Sequence, residues 1–337
     1  MFRTRRRRVL NIRAGSAPEA RGDPALPTLM RALGHRVLFA ALALACGGAC
    51  DGTGGADAEA ASPWPGYVLE RTIGGSGDAL GQLRTPMGVA VDADGRVWIA
   101  DTGNARVQIV GADGTHPVLA GSGWKRPIDI AIGAEGRVWV ADLGADEVRC
   151  LRPGGAAGAE AEPCTAGRVS MPAPAGLGAR DGAGPLAAQL YGHRVASAAG
   201  SPQLSVGGQG GGSGELEHPT DVAALSGGGF AVADAYNHRI QLFDDRGRSG
   251  QAWSGPGDAP FRVPTGVDAS TGVIHVADSG RRRVVALDRE GQVLATYHLE
   301  QDAELRIQSP VRVAAQRDRV WVADPANDRV LVLRRGR

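Results

Sequence analysis

Of the 337 residues only one, Lys125, is a lysine, and only four are cysteines. The missing lysine is a bias of base composition, since arginine supplies the other basic groups. The cysteines, Cys46, Cys50, Cys150 and Cys164, contain no C-x-x-C pair, which excludes the common thiolate metal sites. There is no G-x-S-x-G stretch, and so no nucleophile elbow. Long hydrophobic runs are also absent. The most apolar stretch, Val37 to Ala45, is too short to span a bilayer core. The histidines are scattered at His35, His116, His193, His218, His238, His275 and His298, and the sequence alone gathers no three of them around a metal.

What the chain does have is a repeated phrase. It reads PMGVAVDADGRVWIADTGNARVQIV from Pro86 and PIDIAIGAEGRVWVADLGADEVRCL from Pro127. It returns from Pro219, Pro264 and Pro310. Each copy has alternating apolar runs broken by Gly or Asp, the pattern of a small antiparallel meander. Asp101 to Asp142 is 41 residues, Asp234 to Asp278 is 44 and Asp278 to Asp324 is 46. Asp142 to Asp234 is 92, twice the longest period, so one copy is hidden between them. Periods of this size suit blades of four strands closed into a ring.

The first 65 residues lack the repeat. Residues 1–29 are basic and aperiodic and read as a disordered or misassigned upstream extension. Residues 30–49 resemble an export signal, with Arg31 and Arg36 before the apolar run and Cys46 after it. Leu42-Ala43-Leu44-Ala45-Cys46 resembles a lipobox, which would make Cys46 the lipidated first residue; cleavage near Ala45 or Ala49 is the competing route. Residues 50–65 read as a flexible tether, and 66–337 as the ring. The whole chain carries +1. Without the segment before Cys46, 28 basic residues face 34 acidic ones, which argues against nucleic acid as a partner. Cys150 and Cys164 either form a disulfide, as an exported domain permits, or stay apart.

The repeat resembles the NHL-repeat family of propellers at P-x-G-V-A-V-D-x-x-G-x-V-W-V-A-D-x-x-N-x-R-V, over about four fifths of the chain. Asp101, Asn104 and Arg106 carry the step in the first copy, Asp234, Asn237 and Arg239 in the fourth, and Asp324, Asn327 and Arg329 in the sixth. Copy two keeps Asp142 but has Ala145 and Glu147. Copy five keeps Asp278, with Arg281 and Arg283. A carboxylate there can take up turn N–H groups, and an arginine one strand later can reach it. Because the set recurs around the ring, it reads as architecture. Trp98, Trp139 and Trp321 share one strand face and suit the space between blades; His275 stands in the same slot of copy five as a packed residue.

Two expectations complete the fold, an all-β six-bladed propeller of NHL type. The unclaimed strand from Gly66 to Ile73 closes the last blade, leaving no open edge. A degenerate blade lies within 155–212, opening at Pro174; five blades is the alternative.

The residue two after each blade's opening proline runs Gly88, Asp129, Gly176, Asp221, Gly266, Arg312. Asp129, Asp221 and Arg312, with His218 beside Pro219, are the candidate ligand set at the channel mouth. Trp124 and Tyr236 are candidate anchors on the loop face. The resulting expectation is a monomeric, non-catalytic envelope platform without cofactor or metal, binding an unspecified protein, glycan or small ligand. The alternative is a propeller enzyme with a channel metal, similar to lactonases, strictosidine-synthase-like proteins or the zinc lyase of peptidyl-hydroxyglycine.

Overall fold

The computed structural model describes residues 66–336, apart from 134, 155–160, 181, 200–202, 270–271 and 300–308. The extension, the export signal with Cys46 and the tether lie outside the described residues. No helix among the described residues is long and apolar enough to cross a membrane.

Six four-stranded antiparallel sheets follow one another along the chain. Their first strands, Pro86–Val91, Pro127–Ile132, Pro174–Gly178, Pro219–Ala224, Pro264–Asp268 and Val313–Gln316, lie innermost and line the axis. This is a six-bladed propeller. The degenerate blade is real: Pro174–Gly178, Leu186–Gln189, Arg194–Ser197 and Ser205–Gly207 form the third sheet. Among the described residues, apolar clusters lie between neighbouring blades and make the core. Trp98, Trp139 and Trp321 are buried, Trp98 and Trp321 within these clusters.

Tyr67–Gly74 pairs antiparallel with Arg329–Arg335, so the ring is closed by its N-terminal strand. Closure satisfies the edge N–H and C=O groups that would otherwise template association. Cys150 and Cys164 are joined as a disulfide between the third and fourth strands of blade two.

The links between second and third strands define one face of the ring, here the loop face. Each makes a tight turn ending on a left-handed residue: Ala105, Asp146, His193, His238, Arg282 and Asp328. The connections between blades return on this same face, just before each opening proline. Hairpins joining first and second strands make the opposite, hairpin face.

The closing strand is also clasped from the side. Tyr67 Oη lies 2.6 Å from Nε2 of the buried His275 in blade five. Burial lowers the His275 pKa to about 4. The unfolded chain therefore takes up a proton on this residue at higher pH than the folded one. Its contribution to stability is present above pH 6.5 and is lost as pH falls through the window down to about 4. Urea unfolding across that window should show a loss of about 3 kcal/mol from this residue alone. The loss is read as the difference between wild type and His275→Gln. Parallel pH profiles for the two proteins would contradict this.

Candidate functional site

Asp129, Asp221 and Arg312 do converge, and the ring alternates to let them. At each intervening blade the residue is glycine, because the next backbone comes too close for a side chain. A Cβ on Gly176 would lie 2.5 Å from Asp221 Cα, and one on Gly88 2.7 Å from Asp129 Cα. The three long side chains therefore meet on the axis from alternate blades. Arg312 Nε is 3.2 Å from Asp129 Oδ1 and 3.6 Å from Asp221 Oδ2. Its two terminal nitrogens donate to the carbonyls of Thr265, Ala175 and Thr220, one in each of three other blades. Asp129 accepts from Leu177 N at 2.7 Å and Asp221 from Val267 N at 2.9 Å, both in the following blade.

Burial pushes the pKa of both carboxyls up, against the pull of Arg312. The rise is larger for Asp221, which also meets the charge of Asp129. The triad forms the floor of a cavity of about 1020 Å³ that opens on the hairpin face, past Arg180, Gly227 and Arg317.

His218 does not join them. It precedes Pro219, at the beginning of an inner strand and on the loop face, whereas Asp221 lies further along toward the hairpin face. There it meets His193 and Glu217, and these are the one set among the described residues able to hold a metal ion. The ligand atoms lie within 4.8 Å of one another. Glu217 Oε1 is 3.1 Å from His218 Nδ1 and 3.6 Å from His193 Nδ1. His218 Nδ1 is buried and faces Glu217 Oε1 across the shorter contact. Burial first, then the neighbouring His193, lowers the His218 pKa against the pull of Glu217, which favours the neutral imidazole that a metal requires.

Local folding explains the meeting. His193 is the left-handed cap of the blade-three turn, and its Nδ1 accepts the His218 backbone N–H at 3.2 Å. Asp328 does the same for Thr85 N, and Asp146 for Ala173 N. A side chain at this cap thus latches one blade to the next, and in blade three the latch is a histidine. The Glu217 backbone N–H donates to Asp234 Oδ1 at 2.7 Å, which fixes its place.

Tyr236 stands beside the set, its ring centroid 4.8 Å from that of His218. Trp124 does not belong on the surface: it is 7% exposed, donates to Ala120 O and lies under Arg149 in the core between blades one and two. Spacing in the sequence does not bring Glu217 or His193 to His218. The available signal was the loop GGSGDALGQLRTP, residues 74–86, which recurs as GGQGGGSGELEHP at 207–219 with Glu217-His218 in place of Arg84-Thr85.

Residues 83–110 and 216–243 match the family model for the NHL repeat. Blades one and four of the propeller thus carry NHL repeats. No curated protein matches the sequence. Among solved structures, the chain is similar to a streptogramin B lyase, at 14% identity and a TM-score of 0.55, covering 82% of this chain and all of the other. It is equally similar to a catalytically inactive virginiamycin B lyase from Staphylococcus aureus with quinupristin (14%, TM-score 0.55, 80% of this chain and 99% of that one). A chain of a nidogen/laminin complex matches at 13% and 0.55, over 74% and 98%. At these identities the likeness is one of fold.

The expectation of a non-catalytic, metal-free platform is corrected by the site. It rested on finding no convergent ligand set in the sequence, and the fold supplies one in His193, Glu217 and His218.

The axial triad carries its own test. Removing the cation from two buried carboxyls leaves them uncompensated, a change that costs about 3–5 kcal/mol. Arg312→Met should lower stability by that amount in urea unfolding at neutral pH. A variant as stable as wild type would show that the triad does not hold the axis together.

Proposed function

We propose that the protein is a metal-dependent propeller enzyme, a lyase or hydrolase acting on a small molecule at the loop face of the ring. The observation that carries this reading is the His193–Glu217–His218 set, whose three ligand atoms converge with His218 Nδ1 turned toward Glu217. Two imidazoles and a carboxylate suit zinc and neighbouring first-row divalent ions, and a three-residue set leaves a coordination position for water or substrate. His193 fits with one exchange, because a metal on its Nδ1 would displace the 3.2 Å hydrogen bond from His218 N. When bound, such an ion supplies Lewis acidity to a carbonyl or ester oxygen. The protein's own part is to hold Glu217 through Asp234, to keep His218 neutral and to flank the centre with tyrosines. The lyases that share this fold add support, and quinupristin, present in one of those structures, is the first substrate to assay.

Full-length protein equilibrated with micromolar Zn²⁺ or Co²⁺ and desalted should retain one ion per chain by elemental mass spectrometry. His218→Ala and His193→Asn should each weaken retention by about tenfold or more. Asparagine keeps an acceptor for His218 N, as aspartate does at positions 146 and 328, so the latch survives. Equal metal content in wild type and both variants, or none in wild type, would overturn the reading.

The same chain is proposed to be exported and lipid-anchored at Cys46. The supports are the signal-like segment 30–49 and a disulfide suited to an oxidising compartment. Cys46→Ser should move the protein from the membrane fraction to the soluble fraction of the envelope. An unchanged membrane fraction would refute the anchor.

A further inference from the structure

The turns on the loop face differ at one position in a way the ring does not need. The middle residue of the link between second and third strands is Gly103, Gly144, Tyr191, Tyr236, Gly280 and Ala326 around the six blades. Where it is glycine the turn is pressed against the chain before the opening proline. A Cβ on Gly103 would lie 2.7 Å from both Arg84 O and Arg84 Cγ, and one on Gly144 2.8 Å from Arg126 Cβ. Blades three and four instead carry tyrosines, and in blade four the turn stands off slightly: Tyr236 N to Glu217 O is 3.2 Å, against 2.8 Å for Gly103 N to Arg84 O. Architecture asks for no side chain here, since four blades close without a large one.

Both tyrosines border the metal set. His218 sits between them, its ring 4.8 Å from Tyr236 and 6.4 Å from Tyr191 in an edge-on contact. They remain 46% and 48% exposed, so each offers ring surface to a ligand. Arg126, which precedes the opening proline of blade two, lies within electrostatic range of Tyr191, and Tyr191 in turn within range of Tyr236. Two rings therefore border the His193–Glu217–His218 set, and the Arg126 guanidinium lies within electrostatic range of one of them.

We propose that Tyr191 and Tyr236, with Arg126, form a substrate subsite that takes a flat ring bearing an anionic oxygen group, an aryl carboxylate being the simplest member. The inference rests on the metal-centre reading for the place where the oxygen group would point. Stacking on the tyrosine faces selects the ring, and Arg126 selects against cations that an aromatic pair alone would attract.

The test uses full-length protein loaded with Co²⁺, titrated with benzoate and with acetate, and followed by the visible spectrum of the ion. Benzoate should bind about tenfold more tightly than acetate, the worth of one good aromatic contact. Tyr191→Ala and Tyr236→Ala should each erase most of that preference while Co²⁺ affinity stays unchanged; Ala326 shows that the turn accepts alanine. Arg126→Gln should weaken both anions alike. Equal affinities for benzoate and acetate in wild type, or a preference untouched by both tyrosine variants, would overturn the subsite. Failure of Co²⁺ to bind would instead count against the metal centre, and calorimetry of the two anions on the metal-free protein would still decide the subsite by the same preference.

Discussion

A carboxylate without solvent exposure ends the second strand of five blades, and the loop face is organised around it. Asp101, Asp142, Asp234, Asp278 and Asp324 are each fully buried. A buried charge is costly unless it is paired and hydrogen-bonded, and each of these is both. Asp101 accepts from Arg84 N, Asn104, Arg106 and Gln108. Arg106 then spends its remaining donors on the carbonyls of Asp78, Ala79 and Gln82, pinning the incoming connection. Asp234 and Arg239 repeat the arrangement around Gly211, Gly212 and Glu215. Blade two reaches the same end differently, with Arg149 pairing with Asp142 because Glu147 occupies the usual arginine position. The network fixes where the chain arrives before each opening proline, and in blade four that chain is Glu217-His218.

A ring of equivalent positions separates architecture from function by contrast. What recurs holds the ring; what departs at one place, against no architectural need, is the better guide to chemistry. The departures gather at the junction of blades three and four. The inter-blade latch becomes His193 instead of aspartate, the paired loop carries Glu217 and His218 in place of Arg84 and Thr85, and two adjacent turns carry tyrosine where three others have glycine. The axis shows the opposite case. Asp129, Asp221 and Arg312 look like a ligand set in sequence, yet their donors and acceptors are largely taken by backbone groups of other blades.

The blades were legible because alternation and the Pro-to-Asp punctuation are local signals, and ring closure followed from counting strands. Blade three was faint for a physical reason. Its second strand is Leu186-Ala187-Ala188-Gln189, with Gln189 where the others end in aspartate, so the motif vanishes although the sheet remains. A loop position such as Trp124 suggests exposure in the sequence, whereas the indole folds back over the core. His218 was drawn to the channel by its neighbour Pro219. Two residues decide the face there, since the strand opens on the loop side and only Asp221 reaches the axis. Glu217 and His193 could not be paired from spacing, because their meeting depends on the packing of one blade's turn against the next blade's opening.

The most direct measurement is anomalous diffraction at the zinc edge from crystals of the protein grown with equimolar Zn²⁺. The account requires one strong peak bonded to His193, Glu217 and His218 at about 2.0–2.2 Å, with no peak at the axial triad. A peak elsewhere, or a His218 imidazole left without metal at full zinc, would contradict it.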